Sequence, residues 1–144
     1  MVASAPDLPS PRPASERAAT FVVTLMAIGE TSVGMLLLAF PRELVLLLID
    51  ATLDVRGVIV ARMLGVAVLA LGITWWMGRR DVERLSRYAA GFIVYNVGVG
   101  LLFGWAAPAA RHPVLTWTVC AIHLAAGVGF GVFVRRNPAQ EIGR

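Results

Sequence analysis

Residues 18–40 read AATFVVTLMAIGETSVGMLLLAF, and the only charge in that run is Glu30. At about 1.5 Å per residue, a helix of this length reaches across a hydrocarbon core of about 30 Å. Three further runs have the same character: Gly57–Met77, Tyr88–Ala107 and Pro113–Val134. Hydrocarbon offers no partner to a free backbone N–H or C=O, so each run must close its own hydrogen bonds as a helix. The expected fold is therefore all-α, an integral membrane four-helix bundle spanning residues 18–136.

Composition agrees with that solvent. The chain has 144 residues, enough for one domain, and 58% of them are apolar in the AVILMFWYC sense. An average soluble domain reaches roughly 45–50% even with glycine counted. The mean hydropathy is +0.74, and a core this small could not hide so much apolar surface from water. All 13 basic residues are arginine, which we read as the codon bias of a GC-rich bacterium and hence a bacterial cytoplasmic membrane. The pI near 10.6 does not point to nucleic acid, because the arginines flank apolar runs instead of forming a basic face. Anionic lipid headgroups at the inner face are the expected partner. The single Cys120 excludes an intramolecular disulfide and a Cys-x-x-Cys redox pair.

Residues 1–17 hold four of the eight prolines and almost no large apolar groups, which predicts a disordered tail. A cleaved signal peptide fits poorly, because the run that follows is too long for an h-region. Residues 137–144 form a second short tail. Arginine counts set the orientation. Arg12, Arg17, Arg79, Arg80, Arg84, Arg87, Arg135, Arg136 and Arg144 fall on one side, against Arg42, Arg56 and Arg111 on the other. The arginine-rich side is cytoplasmic, which puts both termini inside. Trp75, Trp76 and Tyr88 are expected at the inner interface, and Phe40 and Trp105 at the outer one. The segment PRELVLLLID (41–50) is too short to span and too apolar for water, so a short helix lying in the outer interface is expected between spans one and two. The alternative, span one continuing past Pro41, would carry Arg42 and Glu43 into the bilayer.

Charge inside a span is costly and marks a functional candidate. Glu30 lies roughly 16 Å below the outer end of its span, Asn96 about as deep, His123 about 15 Å and Arg62 about 8 Å. These four are the candidate proton or ligand site, with Tyr95, Thr116, Trp117 and Cys120 as candidate lining. Each of the four has a glycine about one turn on, at Gly34, Gly65, Gly100 and Gly127, so these stripes should face neighbouring helices. The competing readings are structural: a Glu30–Arg62 ion pair that fixes register, an Arg62 that snorkels alone to the outer headgroups, an interhelical hydrogen bond from Asn96, a packed His123. His112 is too far from His123 for two-histidine haem ligation within one bundle. No phosphate loop, nucleophile elbow, zinc motif or other catalytic or metal signature is present, and no cofactor can be assigned. The Gly-x-x-x-Gly pairs at 100–104 and 127–131 suit self-association, contact with a membrane-complex partner, or packing within one bundle. Glu30-x-x-Val-Gly-Met-Leu also parallels Asn96-x-x-Val-Gly-Leu-Leu, as two parallel repeats would, although such residues are common in any span.

The region 30–135, with GMLLLAFPRELVLLL and ARMLGVAVLALGI, resembles the small four-helix bacterial inner-membrane proteins of the DoxX-like and related uncharacterised families. That resemblance implies an accessory or quinone-related membrane role and carries no catalytic residue onto this chain. A mid-span glutamate, here in AIGETSVG, is similar to the small multidrug transporters and implies a proton-linked carrier using Glu30. Against that stand the one-sided arginines and an Arg62 expected to neutralise Glu30. Three functions follow in order: an accessory or structural membrane component with a buried polar cluster, a proton-linked carrier, and a quinone- or lipid-binding redox component.

Overall fold

The structure is a computed structural model and describes residues 13–81 and 89–136. Among these residues there are five α-helices and no strand: α1 (Ala14–Ala39), α2 (Pro41–Ile49), α3 (Val55–Gly78), α4 (Ala89–Ala106) and α5 (Pro113–Arg136), with a 3-10 turn at Ala107–Ala109 between the last two. Four of them, α1, α3, α4 with its 3-10 extension, and α5, are long and apolar enough to cross a membrane. The chain is a multi-pass four-helix bundle with a short helix after the first span.

Local chemistry sets the joints. Phe40 precedes a proline, which disfavours the helical region, and its backbone sits at φ −130° and ψ 56°. The ladder therefore breaks there, and Pro41 opens α2 at a position where its missing N–H costs nothing. Asp50 ends α2 in the left-handed region at φ 54°, which a short polar side chain tolerates. Asp54 then caps α3 by accepting from the Gly57 N–H at 2.7 Å. One expectation needs correcting: α1 begins at Ala14, so Glu16 and Arg17, placed in the tail, belong to its first turn. Residues 1–12, the 137–144 tail, Tyr88 and most of the arginine-rich 78–87 connection lie outside the described residues.

The helices pair as two antiparallel hairpins, α1 with α3 and α4 with α5. Glycine makes both contacts close. A Cβ on Gly34 would stand 2.6 Å from the Leu69 backbone nitrogen, and one on Gly72 2.7 Å from that of Thr31. In the second hairpin, Gly100 meets Leu124 and Gly127 meets Asn96 and Val97. These are equivalent crossing points. A shift of 66 positions carries Gly34 to Gly100 and Thr31 to Val97, while a shift of 55 carries Leu69 to Leu124 and Gly72 to Gly127. The contact of Gly65 with Leu38 maps in the same way onto that of Cys120 with Gly104. The parallel noticed around Glu30 and Asn96 is therefore matched by a shared packing register.

Between the hairpins the core contacts are side chain on side chain. Ala19, Val23, Met26 and Ala27 of α1 share one core with Trp75, Phe92, Ala126 and Phe130. Trp75 stacks tilted on Phe92 with centroids 4.6 Å apart, and Phe92 on Phe130 at 4.7 Å. Trp75 is thus a buried core residue and not the interfacial anchor expected of it. Its neighbour Trp76 is exposed and carries the Arg79 guanidinium 3.6 Å above its ring. A smaller core of Leu37, Leu44 and Ala61 closes the α2 end. Hydroxyls on the outer faces are satisfied within their own helices: Ser32, Thr74 and Thr118 each donate to the carbonyl four residues back, as a lipid-facing hydroxyl must.

Candidate functional site

The two apolar cores are separated by a polar layer. Glu30 projects from α1 between the Ala27 and Leu37 levels and is 4% exposed. Its Oε2 accepts a hydrogen bond from the Tyr95 hydroxyl of α4 at 2.6 Å, and its Oε1 lies 3.8 Å from His123 Nε2 of α5. His123 Nδ1 is 3.0 Å from Asn96 Oδ1. Asn96, fully buried, donates through Nδ2 to the Phe92 carbonyl at 2.9 Å. One hairpin supplies the carboxyl group, and the other supplies the phenol, amide and imidazole.

Hydrogen-bond chemistry fixes which ring nitrogen of His123 carries a hydrogen. Because Asn96 Nδ2 is committed to Phe92, the amide presents its oxygen to His123, and Nδ1 must carry the hydrogen. In a neutral imidazole the other nitrogen, Nε2, is then a bare lone pair facing Glu30 Oε1. A carboxylate there would set two acceptors against each other in a low-dielectric interior, where an unmatched polar contact is most costly. One proton resolves this, whether it rides on the carboxyl or on the ring. The 3.8 Å separation exceeds a formed N–H···O bond of about 2.7–3.2 Å, so the two groups face each other without a formed hydrogen bond. Edge-on contacts from Trp75 to Tyr95 and from Tyr95 to His123, with centroids 5.5 and 6.0 Å apart, hold the rings in place.

Three of the four expected site residues, Glu30, Asn96 and His123, come together. Arg62 does not, being exposed on the outward side of α3 and in no described ion pair with Glu30. Tyr95, expected only as lining, is instead the direct donor to Glu30. Its signal lay in the sequence, since it adjoins Asn96 at the right depth, but a neighbour about 100° round a helix is not normally on the same face. Thr116 is fully buried and donates to the Leu48 carbonyl at 3.0 Å, tying the end of α2 to α5. Cys120 is buried against Gly100 and Gly104 in the α4–α5 contact, and Trp117 is half exposed on the outer face. None of these three touches the cluster. Among the described residues, no three His, Cys, Asp or Glu side chains gather closely enough to hold a metal ion. Chemically, the arrangement sets a carboxyl group from one hairpin facing an imidazole from the other. No protein-family model, curated protein or solved structure matches the chain.

Proposed function

We propose that the protein is a proton-linked carrier of small molecules, in which one proton shared by Glu30 and His123 latches the two hairpins together. The observation that carries this reading is the pairing of Glu30 with a phenol and an imidazole instead of an arginine. Arg62 was the main reason to expect a permanently neutralised carboxylate, and it sits elsewhere. Each hairpin is internally tight through its glycines, whereas the core between them is made of side chains, with one further tie from Thr116 to the Leu48 carbonyl of α2. Such halves rock as units in transporters built from repeats. The arginine bias supports a bacterial cytoplasmic membrane with both termini inside. The second reading, an accessory component with a static polar cluster, rests on the same hydrogen bonds and lacks only the motion.

Spin labels at Met63→Cys on α3 and Leu101→Cys on α4, both exposed at 67% and 62%, distinguish the two in a Cys120→Ala background. Raising the pH from about 5 to about 9 crosses the ordinary histidine range, and on the carrier reading the shared proton leaves as it does so. The carrier reading expects the inter-hairpin distance to lengthen over that range. Glu30→Gln should stay short throughout, because its carboxamide accepts from Tyr95 and donates to Nε2 as the protonated carboxyl would. A wild-type distance that ignores pH removes the carrier and leaves the accessory reading.

A further inference from the structure

A groove of about 320 Å³ runs between α1 and α5, on the half of the bundle where α1 begins and α5 ends. Its walls are Ala18, Ala19 and Val22 on one side and Ala125, Gly129 and Phe133 on the other, and its mouth is formed by Ser15 and Arg136. The groove exists because α1 and α5 belong to different hairpins and lack the interlocked glycines that close each hairpin. A Cβ placed on Gly129 would meet nothing within 4 Å. In hydrocarbon an empty slot forfeits dispersion contacts, so an acyl chain fills it. At the mouth, no described carboxylate pairs with Arg136. The α1 N-terminus beside it has no side-chain cap among the described residues, and the first N–H groups of a helix have no partner within it. Arg17 and Arg135 add positive charge at the same end, against Glu16.

We infer that this groove seats one anionic phospholipid, its phosphate at Arg136 and Ser15 and one acyl chain between Val22 and Gly129. The site lies across the hairpin junction, so the lipid would act as a second tie between the halves, independent of the proton. It stands whether or not the carrier reading does.

The full chain, reconstituted in nanodiscs of phosphatidylcholine and phosphatidylglycerol in equal parts and released for native mass spectrometry, tests this directly. Wild type should retain one phosphatidylglycerol in preference to phosphatidylcholine. Arg136→Gln should lower that preference about fivefold, since an arginine at an anionic surface contributes about 1 kcal/mol. Gly129→Leu builds its side chain into open groove and should lose retention of either lipid. Gly91→Leu, whose Cβ is equally unobstructed but which lies outside the groove, should behave as wild type. Should Gly129→Leu lose its helical circular dichroism, Arg136→Gln still decides the matter. Equal retention of the two lipids by wild type, or unchanged preference in Arg136→Gln, overturns the site.

Discussion

Asn96 is the residue on which the proton inventory turns. Its amide points one way because Phe92 takes its N–H, and that choice dictates the tautomer of His123 and the need for a proton against Glu30. Replacing it with alanine leaves the imidazole N–H unmatched in the interior, and should cost about 1–3 kcal/mol. Tyr95→Phe removes the one hydrogen bond described for the buried Glu30 carboxyl, so a loss of about 1–3 kcal/mol is expected there too. Thermal unfolding in detergent should place both variants below wild type. The depth of Glu30, Asn96 and His123 was legible in the sequence, because helical rise converts position to height. The direction in which a side chain faces was not. Arg62 stands at a plausible height, yet α3 turns Ala61, Gly65, Val68, Gly72 and Trp75 inward, and residue 62 lies about 100° round from 61.

At the scale of the helices, the glycines divide by what surrounds them. Gly34→Ala and Gly72→Ala drive a methyl into backbone at 2.6 and 2.7 Å, so α1 and α3 must part. Each should lower stability by about 1–3 kcal/mol. Gly29→Ala and Gly98→Ala, with nothing within 4 Å of the added carbon, should be neutral or raise stability by up to about 1 kcal/mol through helix propensity. Chemical unfolding followed by tryptophan fluorescence compares the two sets. The four turn-on glycines at 34, 65, 100 and 127 were correctly read as contact points, because a missing side chain has few other uses in a span. The break before Pro41 was equally legible, since a proline constrains its predecessor whatever the tertiary context. The start of α1 was not, because Ala14, Ser15 and Glu16 are compatible with both a tail and a first turn. Trp75 misled for a related reason: tryptophan suits both an interface and an aromatic core, and only the neighbours Phe92 and Tyr95 decide between them.

For the whole molecule, two like hairpins are joined across a junction that holds one carboxyl from the first and three polar side chains from the second. Four spans and all-α architecture follow from hydropathy, because a continuous apolar run of about 20 residues in lipid closes its backbone hydrogen bonds as a helix. How the spans pair does not, since an apolar face fits any other equally well until a glycine or a polar group selects. On the proposed carrier reading the two hairpins rock about the junction, and a proton shared by Glu30 and His123 is what such motion would break. The most direct test of that proton is ¹⁵N solid-state NMR of histidine-labelled protein in bilayers, with His112 replaced by glutamine so that only His123 reports. Hydrogen should stay on Nδ1 at every pH, while Nε2 changes from hydrogen-bonded to bare as the sample is made alkaline, and Glu30→Gln should abolish that change. A ring whose Nε2 carries the hydrogen and whose Nδ1 is bare, with no response to pH, would contradict the shared proton and the latch built on it.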